Sequence, residues 1–455
     1  MNQLSDKTLE LLKSTNEDIY LVGGAVRDYL LGKTTYDKDI LVNNAEDFAK
    51  TFAEEHHATF IPLDIKNKIY RVVLDDKLNY IDITEPINKS LYDDLRRRDF
   101  TINAIAINLK NNEIIDINDG QKDLRHGIIR SISEKNIIDD PLRILRGYRF
   151  AATLGFEIEE ETINQFKKHK NLITKPAVER INYEIMRLFQ GKYTSKVLLE
   201  CGDIIEILYP VFLDVKKVPP NTHHHLGLYE HSVETVNQIQ LLYETSSPEI
   251  KSHLDKVDFG GFSRLAHLKF AGFFHDIGKY STWNIEGDRH RFIKHDDIGA
   301  KMANDILKKT KFSKKQIDYI VTMIKNHIYP SQVISAENVN EKCYMRYIRK
   351  SGDNAIDNII LAKADRLSAK GIAVSEKMIT NNISGLDKLL KFYLEVKPKL
   401  KPIPKLLSGQ EIMKIKNIKP SSQLGDIIDA LKQEQIEGNV LTKEDAVKFV
   451  KEYQV

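Results

Sequence analysis

The apolar residues of this chain change their period about a third of the way along, and that change limits what the chain can fold into. Over roughly the first 120 residues, short β-branched runs alternate with helical stretches. The runs at 19–22, 39–42, 70–74, 80–83, 104–108 and 113–116 predict strands, and 25–31 and 46–55 predict helices between them. From about residue 137 onward the pattern predicts helix only. Apolar positions there recur every three or four residues, as in Ile181, Ile185, Leu188 and Phe189, so each helix can bury one face. The expected fold class is α+β and multidomain, with a mixed β-sheet in the N-terminal head and an all-α remainder. A length of 455 residues exceeds one ordinary core.

Punctuation in the helical part suggests where to divide it. The loop Val218-Pro219-Pro220-Asn221 precedes His223-His224-His225, and a Lys- and Pro-rich stretch, 397–405, reads as a stiff basic linker. We therefore expect a head at 1–135, a helical neck at 136–217, a second helical domain at 218–372 and a tail at 373–455. The net charge of +3 is close to balance, so a nucleic-acid surface would have to come from local clustering of Lys and Arg. Two cysteines, Cys201 and Cys343, make no CxxC pair, which fits a reducing compartment. No basic region followed by an apolar stretch opens the chain and no run of about 18 apolar residues occurs, so neither a signal peptide nor a membrane contact is expected. A cytoplasmic location follows as the expectation.

The head carries the densest chemistry. Strand 19–22 runs into Gly23-Gly24-Ala25-Val26-Arg27-Asp28 at a strand-to-helix turn, where bare backbone N–H groups can approach a phosphate. A glycine pair at such a turn is also a common structural device. Asp37-Lys38-Asp39 then starts the next strand. Residues i and i+2 of a strand face the same way, so both carboxylates can bind the same hard cations, and oxygen ligands of this kind suit Mg²⁺ completed by phosphates and water. A solvated strand edge is the bland alternative.

Together these residues resemble the nucleotidyltransferase superfamily of DNA polymerase beta. Leu95-Arg96-Arg97-Arg98-Asp99-Phe100-Thr101-Ile102-Asn103-Ala104 is similar to a signature of bacterial-type (class II) tRNA nucleotidyltransferases and their poly(A) polymerase relatives. Asp139-Asp140-Pro141-Leu142-Arg143-Ile144-Leu145-Arg146-Gly147-Tyr148-Arg149-Phe150 resembles that family's nucleotide-selecting helix, with Asp139 where the family usually has Glu. The resemblance implies that Gly24 and Arg27 contact a triphosphate, that Asp37 and Asp39 hold Mg²⁺, and that Arg98 lies near ribose or phosphates. It implies that Asp140 and Arg143 face the Watson–Crick edge of the incoming base, with Arg146 and Arg149 further along the same face. Asp82 is either a third catalytic carboxylate or a simple strand aspartate. By the same resemblance the partners are the tRNA 3′ end, CTP and ATP, and the neck carries an RNA-binding segment; in the tail, Leu406-Leu407-Ser408-Gly409 with the Lys-rich linker suits binding of the tRNA body through phosphates, a generic basic linker being the alternative.

Residue chemistry supports the base-reading role separately. Steps of three residues from Asp140 to Arg149 make a ladder that drifts slowly round one helix face. The arginines are interleaved with Leu142, Ile144, Leu145, Tyr148 and Phe150, so a packed helix must find partners for them. A guanidinium only donates and a carboxylate only accepts, and such a pair can read cytosine and adenine without a template.

The second domain holds a scattered set: His231, His275-Asp276 ending an apolar run, His295, His327 and Asp365. Any one of these histidines alone is more often a satisfied core or surface residue. As an ordered set they resemble the HD phosphohydrolase superfamily. That resemblance implies one divalent metal held by His231, His275, Asp276 and Asp365, and a second at His295 and His327, of an identity the ligands do not select. His223-His224-His225 is assigned no ligand role. Three functional readings follow: CCA addition to tRNA, addition of CC or poly(A) by the same chemistry, and an HD phosphohydrolase with a nucleotide-sensing head. The segment between Asp82 and Asp93 is short. The family resemblance implies a flexible loop there that switches the pocket from CTP to ATP, so the terminal A step is the open one. Oligomeric state is not readable.

Overall fold

Seven strands pair into one sheet within the first 116 residues: β1 (Tyr20–Val22), β2 (Asp37–Leu41), β3 (Thr59–Asp64), β4 (Ile69–Val73), β5 (Tyr80–Thr84), β6 (Ile105–Asn108) and β7 (Ile114–Asp116). Their order is β3-β4-β5-β2-β1-β6-β7, antiparallel throughout except for the parallel pair β2–β5. The computed structural model describes residues 7–33, 37–74, 79–287, 289–337, 339–399 and 404–453, with the backbone alone at Lys7 and Asp37. Its two compact units are Met1–Pro210 and Val211–Val455.

The mixed sheet expected from the alternating runs is present. Val72, Ile81 and Ile83 are fully buried, and helix Ala45–Glu55 turns Ala45, Ala49, Phe52 and Ala53 inward. Strand β3 was not expected, and its composition explains why. Pro62 sits within it, its side chains are mostly exposed, and it pairs only with β4 at the sheet edge. Proline is tolerated at an edge because no ladder hydrogen bond is asked of its nitrogen, and an unburied strand shows no apolar alternation.

Helices complete the first unit. Ser133 caps helix Glu134–Asp139 by accepting the Asn136 N–H, and Asp140-Pro141 then breaks the path before helix Leu142–Leu154. Helix Val178–Gln190 packs against Leu142–Leu154 and buries Ile181, Ile185, Leu188 and Phe189 on one stripe.

In the second unit, helices Leu228–Thr245, Arg264–Phe274, His295–Lys309, Lys314–Asn326 and Ala355–Ser368 carry the core. Helix Arg264–Phe274 is buried at every residue, so its polar members need internal partners. Arg264 donates to both Asp357 oxygens (3.2 and 3.0 Å) and the Tyr319 hydroxyl donates to Oδ1 (2.7 Å). Burial alone would raise the Asp357 carboxyl, but His253 and Arg264 hold it below the usual carboxylate range. The expectation of helix only beyond residue 137 is corrected by two hairpins, Val257–Phe259 with Phe262–Ser263 and Trp283–Glu286 with Arg289–Phe292, and by Glu157–Ile158, which pairs in parallel with Ile128–Ile129. The hairpins are short and largely exposed, so they leave no buried period-two pattern.

The tail packs helices Gly409–Lys416, Ser422–Glu437 and Lys443–Glu452 around Ile412, Ile427, Leu431 and Val450. Capping boxes at Ser408/Glu411 and Thr442/Asp445 start two of them. Of the stretch read as a stiff linker, Lys397–Lys399 forms a 3-10 turn running on from helix Glu376–Val396, and 400–403 lie outside the described residues. Among the described residues no helix is long and apolar enough to cross a membrane.

Two candidate catalytic centres

β1 ends at Val22, and Gly23 turns the chain with φ 72° into helix Gly24–Leu30. Only glycine takes that backbone freely. A Cβ at Gly23 would stand 3.0 Å from Arg98 Nη1 and 3.6 Å from Asp39 Oδ2, so the bare turn, Arg98 and Asp39 share one space. That space is a cleft of about 470 Å³ lined by seven arginines and five carboxylates, an excess of positive charge suited to a polyanion. It brings together Gly24, Arg27, Asp39, Arg98, Asp140, Arg143, Arg146 and Arg149 from the sequence-derived set.

Most of these cations are aimed by a neighbour. Arg27 donates to Asn103 Oδ1 (2.7 Å) and Asp28 Oδ1 (2.9 Å), and Arg98 donates twice to the buried Asp94 (3.1 and 3.0 Å). Arg143 donates to the Arg98 carbonyl (3.1 Å), tying the selecting helix to the Arg-rich turn. Burial pushes its guanidinium down, opposed by Asp99 and Asp140. Arg146 pairs with Asp99 (2.6 Å) and Glu184 (3.4 Å), and Arg149 with Glu184 (2.9 Å). Burial favours a neutral Asp99, yet Arg146 and Asn103 hold its pKa down to about 2; burial pulls Arg149 down to about 10 against Glu184. Asp140 stands just before helix Leu142–Leu154 and accepts from Arg180 (2.8 Å), so the ladder begins at the helix entrance.

The carboxylates expected to hold metal are arranged by the sheet. Asp39 lies opposite Asp82 in the parallel β2–β5 register, so the two share a face. Asp82 is held by Arg71 through two hydrogen bonds (2.7 and 2.8 Å), and it does not line the cleft. The Asp37 backbone pairs with Tyr80, and its side chain lies outside the described residues. Asp99 and Glu184 were not singled out from the sequence. Glu184 has a signal in the sequence, an acid on the same stripe as Ile181, Ile185 and Leu188, and Asp99 stands within the Arg-rich motif 95–104.

In the second unit the scattered set converges. One ligand atom from each of His231, His275, Asp276 and Asp365 lies within 4.8 Å of the others, and the same holds for Asp276, His295 and His327. His231 Nε2 is 3.4 Å from Asp276 and 3.1 Å from Asp365, and His275 Nε2 is 3.1 Å from Asp276. The Nδ1 atoms of His275, His295 and His327 point at the carbonyls of Gly272, Phe292 and Ile324 (2.6, 2.7 and 2.7 Å). A ring that donates from Nδ1 leaves a bare Nε2 lone pair, and those lone pairs face the carboxylates. The Nε2 atoms of His295 and His327 are 3.2 Å apart, and two lone pairs that close need a cation between them. Burial works against charge at His275, but Asp276 and Asp365 raise its pKa to about 10, another sign that the cluster calls for positive charge. The residues fit one or two divalent ions. Lys279, not anticipated, lies 2.6 Å from Asp276. His224, left without a role in the sequence, puts its ring edge-on to His231 at 4.7 Å.

Comparison with known proteins agrees with this division of labour. Residues 19–130 match the poly A polymerase head domain, 155–212 the probable RNA and SrmB-binding site of polymerase A, and 228–370 the HD domain. The chain is 29% identical to a CC-adding tRNA nucleotidyltransferase of Thermus thermophilus, over 96% of this chain and 94% of the relative. It is 28% identical to an A-adding tRNA nucleotidyltransferase of Deinococcus radiodurans (95% and 95%) and to a CCA-adding enzyme of Ligilactobacillus salivarius (96% and 93%). The fold is similar to that of a Thermotoga maritima CCA-adding enzyme solved with tRNA, with TM-score 0.58, 22% identity, and 98% and 95% of the two chains covered. With three domain matches in order along one chain and relatives similar over nearly its whole length, this protein is similar to the class II tRNA nucleotidyltransferases and poly(A) polymerases, and carries a match to the HD domain.

Proposed function

We propose that the protein is a tRNA 3′-terminal nucleotidyltransferase that builds CCA from CTP and ATP without a nucleic-acid template. The observation that carries this reading is the cleft in which the Gly23 turn, Asp39, the arginines and Asp140 meet. Asp37 and Asp39 hold Mg²⁺, which when bound activates the attacking hydroxyl and stabilises the leaving pyrophosphate. Gly24, Arg27 and Arg98 receive the triphosphate. Asp140 accepts from, and Arg143 donates to, the base edge, while Asp99 and Glu184 fix Arg146 and Arg149 behind them. Asp82 shares the sheet face of Asp39 and serves as the third carboxylate once Arg71 yields it. The domains follow the divisions 1–135, 136–217, 218–372 and 373–455, with tRNA held by neck and tail, in the cytoplasm.

Incubation with tRNA ending at the discriminator base, with CTP and ATP separately and together, followed by sequencing of the 3′ ends, tests this reading. Full CCA ends are expected with both nucleotides. A second reading, addition of CC alone, is favoured by the compact segment after β5, where a 3-10 turn at Ile87–Lys89 leads straight into helix Leu91–Arg96. Ends that stop at CC with both nucleotides present would select it. The HD centre adds a metal-dependent phosphoester hydrolysis, for which the convergence of bare imidazole nitrogens on Asp276 and Asp365 is the support. Metal analysis and a phosphoesterase assay with Mn²⁺ or Ni²⁺ test that activity.

A further inference from the structure

One buried phenyl ring in the head cleft has three guanidinium groups over it. The Cζ of Arg149 stands 3.8 Å from the centroid of the Phe150 ring, that of Arg27 5.0 Å and that of Arg146 5.6 Å. Phe150 lines the cleft yet is only 3% exposed, and the ring of Phe100 meets it edge-on at 5.9 Å. All three distances fall within the reach, about 6 Å, over which a ring face attracts a cation.

The three cations reach the ring by different routes. Arg146 sits four positions before it on helix Leu142–Leu154, the spacing that puts two side chains on one face, and Arg149 is its neighbour in sequence. Arg27 comes from helix Gly24–Leu30 behind the Gly23 turn, so its place over the ring is a tertiary contact. Their acidic partners differ: Arg27 pairs with Asp28, Arg146 with Asp99 and Glu184, and Arg149 with Glu184. The ring is what all three have in common. Like charges gathered this closely repel one another. The negative face of a phenyl ring offsets part of that repulsion, and it leaves N–H donors available for a phosphate.

An aliphatic side chain at this position would fill the same space and leave the cations against a surface with no charge to offer them. We propose that Phe150 is a positioning residue of the nucleotide cleft, whose ring face gathers Arg27, Arg146 and Arg149 and so joins the triphosphate end of the site to the base-reading helix. The nucleotide-binding role of the cleft is taken from the proposed function. A weakened ring face is felt as weaker binding of any nucleotide, CTP and ATP alike, and not as an altered choice of base, because Asp140 and Arg143 make that choice.

The test replaces Phe150 by mono-, di- and trifluorinated phenylalanine in the full-length protein. Each fluorine draws electron density from the ring face while changing its shape little, so the core stays filled. Equilibrium dialysis against CTP, ATP and inorganic tripolyphosphate, with Mg²⁺ present, reads the affinities, and CTP incorporation into tRNA is measured in parallel. Dissociation constants for all three ligands are expected to rise step by step along the series, by about threefold or more at its end. Discrimination of CTP against UTP is expected to stay within about twofold. Flat affinities overturn the positioning role, since a ring that only fills space is indifferent to its charge, and a change confined to base choice overturns it too. If the affinities follow the series while the wild type adds no nucleotide to tRNA, the positioning role stands and the transferase reading falls. If the wild type adds CTP and the affinities stay flat, the reverse holds.

Discussion

The head cleft and the HD cluster handle their charges in opposite ways. In the cleft, guanidinium groups and carboxylates are largely matched, Arg27 with Asp28, Arg98 with Asp94, Arg146 with Asp99, and Arg149 with Glu184. In the HD cluster, imidazole nitrogens and carboxylate oxygens converge at 3.1–3.7 Å with lone pairs facing one another. Among the described residues, three-ligand groups occur only in the second unit. The difference teaches what each centre waits for. Hard carboxylate sites for Mg²⁺ are normally completed by substrate phosphates, so the cleft is assembled around a nucleotide. Imidazole-rich sites bind softer ions from protein ligands alone, so the HD centre is prepared ahead of any substrate.

That contrast breaks first at Asp39. Asp39→Ala is expected to reduce nucleotide addition by about a thousandfold or more while tRNA affinity changes by about threefold or less, because the carboxylate serves chemistry rather than docking. Steady-state incorporation of CTP and a tRNA filter-binding titration measure the two. Substantial residual transfer in both Asp37→Ala and Asp39→Ala would remove the metal-binding assignment.

The matched charges of the cleft make a prediction about stability. Glu184→Ala leaves buried Arg149 without its carboxylate, which is expected to cost about 3 kcal/mol in a denaturant titration of the full chain. A change under about 1 kcal/mol would mean that the ion pair is not holding the selecting helix.

Asp140→Ala and Arg143→Ala are expected to relax discrimination against UTP and GTP by about tenfold to a hundredfold, the worth of one lost hydrogen-bonding partner to a base. Misincorporation assays with single nucleotides read this directly, and unchanged selectivity would end the base-reading role.

Acid should weaken the head through Asp99. Its folded pKa of about 2 lies below the ordinary 3.8, so its stabilisation is complete above about pH 4 and is lost as pH falls through 2. Wild type should lose about 2 kcal/mol over that window through this group. Asp99→Asn should lack this part of the acid limb in pH-dependent unfolding.

The smallest expected effect is the sharpest comparison. His275→Ala or Asp276→Ala should remove bound divalent metal from the HD centre, measured by metal analysis, yet leave CTP incorporation within about twofold, because the two centres share no ligand. A parallel loss of CTP incorporation in folded protein would show that the centres are coupled.

Some of this protein was settled by its residues in order. The change from period-two runs to three- and four-residue spacing announced a sheet-bearing head and a helical remainder, because each period buries one face of one kind of element. The Gly-Gly turn, Asp-x-Asp and the spaced arginines, taken with the family resemblance, predict phosphate, metal and base chemistry, and the structure brings Gly24, Asp39 and the arginines to one cleft. Tertiary structure alone decided which charges meet. That Asp99 and Glu184 pair with Arg146 is silent in one dimension, because an ion pair across 38 to 47 positions leaves no periodic trace. Asp82 is open in sequence between a catalytic and a plain strand carboxylate, and only the neighbouring strand shows that Arg71 holds it. β3 escaped notice because an exposed edge strand with a proline buries nothing to alternate. His224 has no assigned role in sequence, and only the packing of the Gly371 segment against its loop shows it beside His231. Sequence fixes what each side chain can donate, accept or bind, and only the packed chain fixes which partner is near enough to take it.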